Sequence, residues 1–148
     1  MKKLAPGVFV IGRYEPDQLD PAKIGTELVS LTNNLNLETF AYGAYNTDWT
    51  DHNTASEVRA PRTNEYMAKS ENVTPWHKDN SGKECALVLW SNREQTEIKT
   101  PNGDILKPDP FDVLCIANAA VEHRTPPQIS EDRWFFRRTV KVPDWMVQ

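Results

Sequence analysis

The chain has 148 residues, one domain's worth on a scale of roughly 100 to 200 residues per domain, which excludes a multidomain machine. Hydrophobic residues make up 39% and charged residues 26%, and no run approaches the ~18 apolar residues of a membrane span, so a soluble globular protein is expected, neither disordered nor transmembrane. Seventeen basic against 21 acidic residues give a net charge of −4, which argues against long-range attraction to nucleic acid or an anionic membrane surface.

From the N-terminus, the opening MKKLAPGVFVIGR is too short in its apolar part for a signal peptide and no small-residue cleavage site follows, so a cytoplasmic location is expected. A weak strand is predicted at Val8–Ile11. A helix is predicted over residues 20–35, with Asp20 as cap, Pro21 in the first turn, and Ile24, Leu28, Leu31 and Leu35 at spacings of three to four. Beyond residue 55 the pattern changes to short segments rich in Val, Ile, Leu and aromatics, cut by Pro, Asn, Gly and Asp. Strands are predicted at Glu84–Trp90, Thr96–Thr100, Phe111–Ile116 and Arg133–Val142, with a weaker one at Arg62–Met67. PNGD at 101–104 predicts a tight turn joining two antiparallel strands. Cys85 and Cys115 lie inside apolar strand-like runs, where reduced, buried thiols are expected. The class that results is α+β, mostly β: a single domain over 1–148, with a strand and helix region at 1–55 and an antiparallel β core at 56–148.

Three histidines are present: His52, His77 and His123. His77 and Asp79 in TPWHKDNSG stand two apart, which on an extended strand points both side chains to one face. His123 follows the apolar run FDVLCIA at a place where a strand leaves the core. Two imidazoles and a carboxylate form the facial triad that holds Fe(II) with positions open for O₂ and a co-substrate. With three His and ten Asp, a lone His-x-Asp arises by accident about one time in five, so the tripeptide carries weight only with its surroundings. His52 sits in a polar segment without a partner at ligand spacing and is expected at the surface. In DRWFFRRTVKV, alternation puts Arg133, Phe135, Arg137 and Thr139 on one face and Trp134, Phe136, Arg138 and Val140 on the other. An inward arginine among aromatics is costly unless paired with an anion, and an arginine fork suits a carboxylate. Arg133, Arg137, Arg138 and Lys141 also form a local basic cluster in sequence.

From Asn64 to Arg138, about half of the chain, the sequence resembles the catalytic core of the Fe(II)- and 2-oxoglutarate-dependent oxygenases. Trp76-His77-x-Asp79 resembles the WHxD of the taurine dioxygenase-like branch. His123-Arg124 followed by prolines resembles the distal-histidine segment, and Arg133, ten residues on, falls where the family has the basic residue that pairs with the far carboxylate of 2-oxoglutarate. Arg137 is similar to the second arginine of the taurine dioxygenase-like pattern. Asn64-x-Tyr66 is similar to the NxY of the alkylated-base demethylases, where such residues touch the co-substrate, and Thr96–Ile98 with Pro108–Ile116 resembles the middle strands of prolyl hydroxylase-like members. Phe111 departs from the pattern, standing where the family usually has glycine. The resemblance implies a double-stranded β-helix, or jelly roll, with the N-terminal helix packed on one sheet. It further implies His77, Asp79 and His123 as Fe(II) ligands, Arg133 as the 2-oxoglutarate anchor, and Arg137, Tyr66 and Asn64 as secondary contacts. The activity implied is oxidation of a C–H bond in a small molecule or peptide side chain, with O₂ consumed and succinate and CO₂ released. A jelly-roll metalloprotein that does not use 2-oxoglutarate and a non-catalytic jelly-roll binding protein are the rival readings. Segments 43–62 and 124–132 are the expected substrate loops, with Trp49 and Trp76 as candidate lining residues.

Overall fold

In a computed structural model, the structure describes residues 1–38, 57–59, 65–69, 74–78, 85–117 and 121–146. Among the described residues, ten strands and one α-helix are arranged as two antiparallel sheets with the helix outside. The strands are β1 (Lys2–Ala5), β2 (Val8–Arg13), β3 (Glu57–Arg59), β4 (Glu65–Lys69), β5 (Cys85–Ser91), β6 (Glu97–Lys99), β7 (Ile105–Leu106), β8 (Asp112–Ala117), β9 (Glu122–Arg124) and β10 (Trp134–Lys141), and the helix is α1 (Pro21–Asn34). The large sheet runs β1-β2-β8-β5-β10-β4-β3 and the small one β7-β6-β9. Beyond β9 an isolated antiparallel bridge adds His77 opposite His123. Along the chain, β4 belongs to the large sheet, His77 to the small, β5 to the large, β6 and β7 to the small, β8 to the large, β9 to the small and β10 to the large.

The helix starts where expected: Asp20 is extended and its side chain accepts from the Lys23 N–H, with Pro21 opening the first turn. Its buried stripe is Ile24, Leu28 and Thr32, whereas Leu31 is half-buried and Leu35 exposed. The stripe turns onto Thr32 because that hydroxyl accepts from Arg138 Nη1 while donating to Leu28 O at 3.0 Å, so a charged group from β10 closes on the end of the helix. The predicted PNGD turn joins β6 to β7, with Gly103 at φ 87° and the Thr100 N–H donating to Asp104 O at 2.8 Å.

Every residue of β5 is buried, so the strand needs cover on both faces. Ala86, Val88 and Trp90 join Phe9, Ile11, Val113, Cys115, Phe136 and Val140 on the side where Ile24 and Leu28 of α1 pack. Leu87 and Leu89 join Val8, Leu114 and Ile116 against Ile98 and Val121 on the opposite side, between the two sheets. Both cysteines are buried free thiols, as expected, and burial pushes the Cys115 thiol up to about 12. β1 and β3 were not among the expected strands; β3 falls inside 43–62, a stretch expected as loop, and pairs with β4.

Phe111 has φ 69°, a left-handed conformation, at the turn into β8. Its N–H donates to Ser91 O at 2.8 Å, its carbonyl accepts from the Tyr14 N–H at 2.9 Å, and its ring packs 6.2 Å from that of Trp90. These contacts hold a residue that pays roughly 1–2 kcal/mol for its backbone conformation. Phe111→Ala loses the ring and keeps the strain, while Phe111→Gly loses the ring and relieves it. Chemical denaturation is expected to rank wild type above Phe111→Gly and Phe111→Gly above Phe111→Ala, the latter two separated by about 1 kcal/mol.

Candidate functional site

The small sheet sets the geometry. Across β6 and β9, Ile98 pairs with His123, and His123 pairs in turn with His77 across the bridge. Directly opposed residues of an antiparallel pair point to the same face, so Ile98, His123 and His77 form one row. Ile98 is fully buried against the large sheet, which places both histidines on the inner face. The bridge carries two backbone bonds, His77 N–H to His123 O at 3.1 Å and His123 N–H to His77 O at 3.0 Å. The imidazole centroids lie 4.4 Å apart at an interplanar angle of 57°. His123 is 4% exposed and His77 half-buried.

Each ring is oriented by its own chain. His77 Nδ1 is 2.8 Å from Pro75 O and His123 Nδ1 is 3.2 Å from Val121 O. A carbonyl accepts only, so a proton on Nδ1 would satisfy each contact, the arrangement by which a backbone carbonyl fixes the tautomer of a metal-binding imidazole. Two imidazoles at adjacent positions of one octahedral ion, with metal–nitrogen bonds of about 2.1 Å, have centroids roughly 4.5 Å apart. The observed centroid separation of 4.4 Å is of that size. Asp79, Asn64 and His52 lie outside the described residues, as does Trp49, and among the described residues no group of three His, Cys, Asp or Glu converges. Tyr66 is placed on β4 in register with Arg137.

The four basic residues of 133–141 do not form one surface. Phe136 and Val140 face the helix-side core, and Arg138 goes with them, 3% exposed, onto Thr32 and the Val29 carbonyl. Lys141 reaches Glu38 at 3.1 Å. Arg137 pairs with Leu89, whose side chain faces the small sheet, so it lies on the inner face with the histidines. Arg133 precedes β10, is 2% exposed, and its Nε donates to Glu94 O at 2.6 Å. Burial lowers the Arg133 guanidinium to about 10, against the opposing pull of the Glu94 carboxylate.

Glu94 was not singled out by sequence, since nothing in SNREQTE marks one acid from the next. Burial pushes its carboxyl up, but hydrogen bonds from Ser130 Oγ at 2.6 Å and Ser130 N–H at 3.1 Å, with the charge of Arg133, hold it below the usual range. Trp76 is placed on the outer side of the small sheet, with the Arg124 guanidinium 4.3 Å from its ring centroid. A cavity of about 750 Å³ opens where β5 ends and β8 and β10 begin, lined by Glu94, Glu97, Lys107 and Phe111 and by Pro126 and Gln128 of the expected loop 124–132. Neither histidine lines it.

No protein-family model matches the chain, and no curated protein or solved structure is significantly similar to it. Among the described residues no helix is long and apolar enough to cross a membrane.

Glu94→Gln is expected to lower stability by about 1–2 kcal/mol at neutral pH, through weaker acceptance from Ser130 and an uncompensated Arg133. Because the folded carboxyl titrates below its unfolded value of 4.5, its contribution is complete above that value and disappears as the pH falls through the folded one. Thermal melts should therefore show a wild-type advantage that is constant from pH 6 to 8 and closes on acidification below the unfolded value of 4.5.

Proposed function

We propose that this protein is a jelly-roll oxygenase that uses Fe(II) and 2-oxoglutarate to oxidise a C–H bond of a small molecule or peptide side chain. The observation that carries the reading is the histidine pair: two residues 46 positions apart in sequence (123 − 77) meet on the inner face of the small sheet. Both hold Nδ1 against a backbone carbonyl. The alternation of successive segments between the sheets, with neighbours β8-β5-β10-β4 in one and β7-β6-β9-His77 in the other, supports a double-stranded β-helix for this core.

On this reading His77, His123 and Asp79 hold the metal. Fe(II) with 2-oxoglutarate supplies the capacity to reduce O₂ and oxidise a C–H bond, with succinate and CO₂ as co-products. The chain's own residues bind and orient. Arg133 is the proposed seat of the far carboxylate of 2-oxoglutarate, for which a planar guanidinium offers paired, charge-assisted donors, and Arg137 is the second contact. Tyr66 and Asn64 remain proposed co-substrate contacts by resemblance. The apolar residues around the histidines, Ile98, Leu89 and Val121, keep water out of the layer and strengthen every charge interaction within it. The cytoplasm is the proposed location, consistent with two buried free thiols.

Anaerobic titration of the Fe(II)-loaded protein with 2-oxoglutarate tests this without a substrate. A visible metal-to-ligand charge-transfer band is expected in wild type and is lost in His77→Ala. Arg133→Ala should raise the half-saturating 2-oxoglutarate concentration by at least tenfold, the loss of about 1.4 kcal/mol, and Arg137→Ala by less. Fe(II) binding without a band would move the reading to a metalloprotein that does not use 2-oxoglutarate.

A further inference from the structure

Among the described residues, the segment bearing His77 meets β9 through one bridge with two backbone bonds. Continuing the antiparallel register one step from His77 and His123 sets Trp76 opposite Arg124, and Arg124 is itself opposite Glu97 across β6. Glu97, Arg124 and Trp76 thus form a row on the outer face, directly behind the row of Ile98, His123 and His77 on the inner one. The contacts follow that register. Arg124 Nε donates to Glu97 Oε1 at 2.8 Å, and the guanidinium lies over the Trp76 ring at 4.3 Å. Lys99, two residues from Glu97 on the same face, adds its ammonium 5.4 Å from the Trp76 centroid. Glu97 is 6% exposed, so the carboxylate that aims Arg124 is itself fixed. The Thr125 N–H donates to Thr74 Oγ1 at 2.8 Å and ties down the start of the same segment.

We propose that Glu97, Arg124 and Trp76 are positioning residues that hold His77 in register with His123. The inference rests on the metal-site reading of the histidine pair. None of the three touches the metal; they act through the backbone between Trp76 and His77. A planar cation stacked on a large aromatic face resists both tilt and slide of the segment, and the buried carboxylate prevents the cation from turning away. Removal of such outer supports costs metal sites 10–100-fold in affinity.

The test uses the full chain with Co(II) as the probe, read by its visible absorption, and amide hydrogen exchange of His77 in the metal-free protein. Trp76→Leu is expected to weaken Co(II) binding at least tenfold and to speed His77 exchange at least tenfold. Trp76→Phe, which keeps an aromatic face, should stay within about threefold of wild type in both. Arg124→Lys keeps the charge beside Glu97 but loses the planar stack, and is expected to fall between them; it decides the question if Trp76→Leu does not fold. Unchanged Co(II) affinity and unchanged His77 exchange in folded Trp76→Leu or Arg124→Lys would overturn the proposal. Absence of Co(II) binding in wild type would overturn the metal reading, and the exchange comparison would still decide whether the row positions His77.

Discussion

β5 is buried on both faces along its whole length, and a strand with no solvent face must be covered twice. The rest of the architecture answers that requirement. A helix-side cluster that includes Ile24 and Leu28 of α1 covers Ala86, Val88 and Trp90, and the opposite cluster, with Ile98 of the small sheet, covers Leu87 and Leu89. Because side chains alternate strictly, every neighbour of β5 inherits the division: Phe136, Arg138 and Val140 on β10 are committed to the helix, while Arg137 and Thr139 are committed to the space between the sheets. A slip of one residue in β10 would put Phe136, Arg138 and Val140 into the inner layer and turn Arg137 and Thr139 toward the helix. Register is therefore what delivers particular polar groups to the interior.

Buried polar groups cost free energy unless they are matched, and this chain matches each in a different way. Arg138 is absorbed by the last turn of α1, where the carbonyl ends of the helix favour a cation. Arg133 is absorbed by the Glu94 carbonyl and carboxylate at the mouth of β10. The two histidines turn Nδ1 to carbonyls two residues back. The Arg138 arrangement is complete as structure, with a cation facing a hydroxyl and a helix carbonyl. The histidine arrangement differs in kind, because each Nδ1 faces a neutral backbone carbonyl and the two rings lie against each other in the same inner space. Ile98, Leu89, Leu114 and Val121 share that layer with Arg137 and Thr139.

Much of this was legible in sequence where a local rule decides the outcome. Asp20-Pro21 and the aliphatic spacing after it set the start of α1, and Asn102-Gly103 set the β6–β7 turn. The apolar runs expected as strands at Glu84–Trp90 and Phe111–Ile116 fall on β5 and β8. Short edge strands escaped: β1 begins with two lysines, β3 has three residues, and neither carries enough alternation to register. The left-handed turn at Phe111 is invisible to propensity, since tertiary contacts impose a conformation the residue disfavours. Lining up arginines by number suggested a basic cluster, which the pleat divides among two faces and a strand end. The histidine pair was legible as a pattern, but the stack of Arg124 on Trp76 was not, because it depends on which strands become neighbours.

On the proposed function His77 and His123 form one donor pair for a common ion. Long-range ¹H–¹⁵N correlation spectra of the imidazoles, recorded on the metal-free protein and then with substoichiometric Zn(II), test this pairing. Both residues are expected as Nδ1–H tautomers before metal is added, with their Nε2 signals shifting together in slow exchange while His52 stays in place. An Nε2–H tautomer at either residue, or Zn(II) shifts confined to one of the pair, would contradict it.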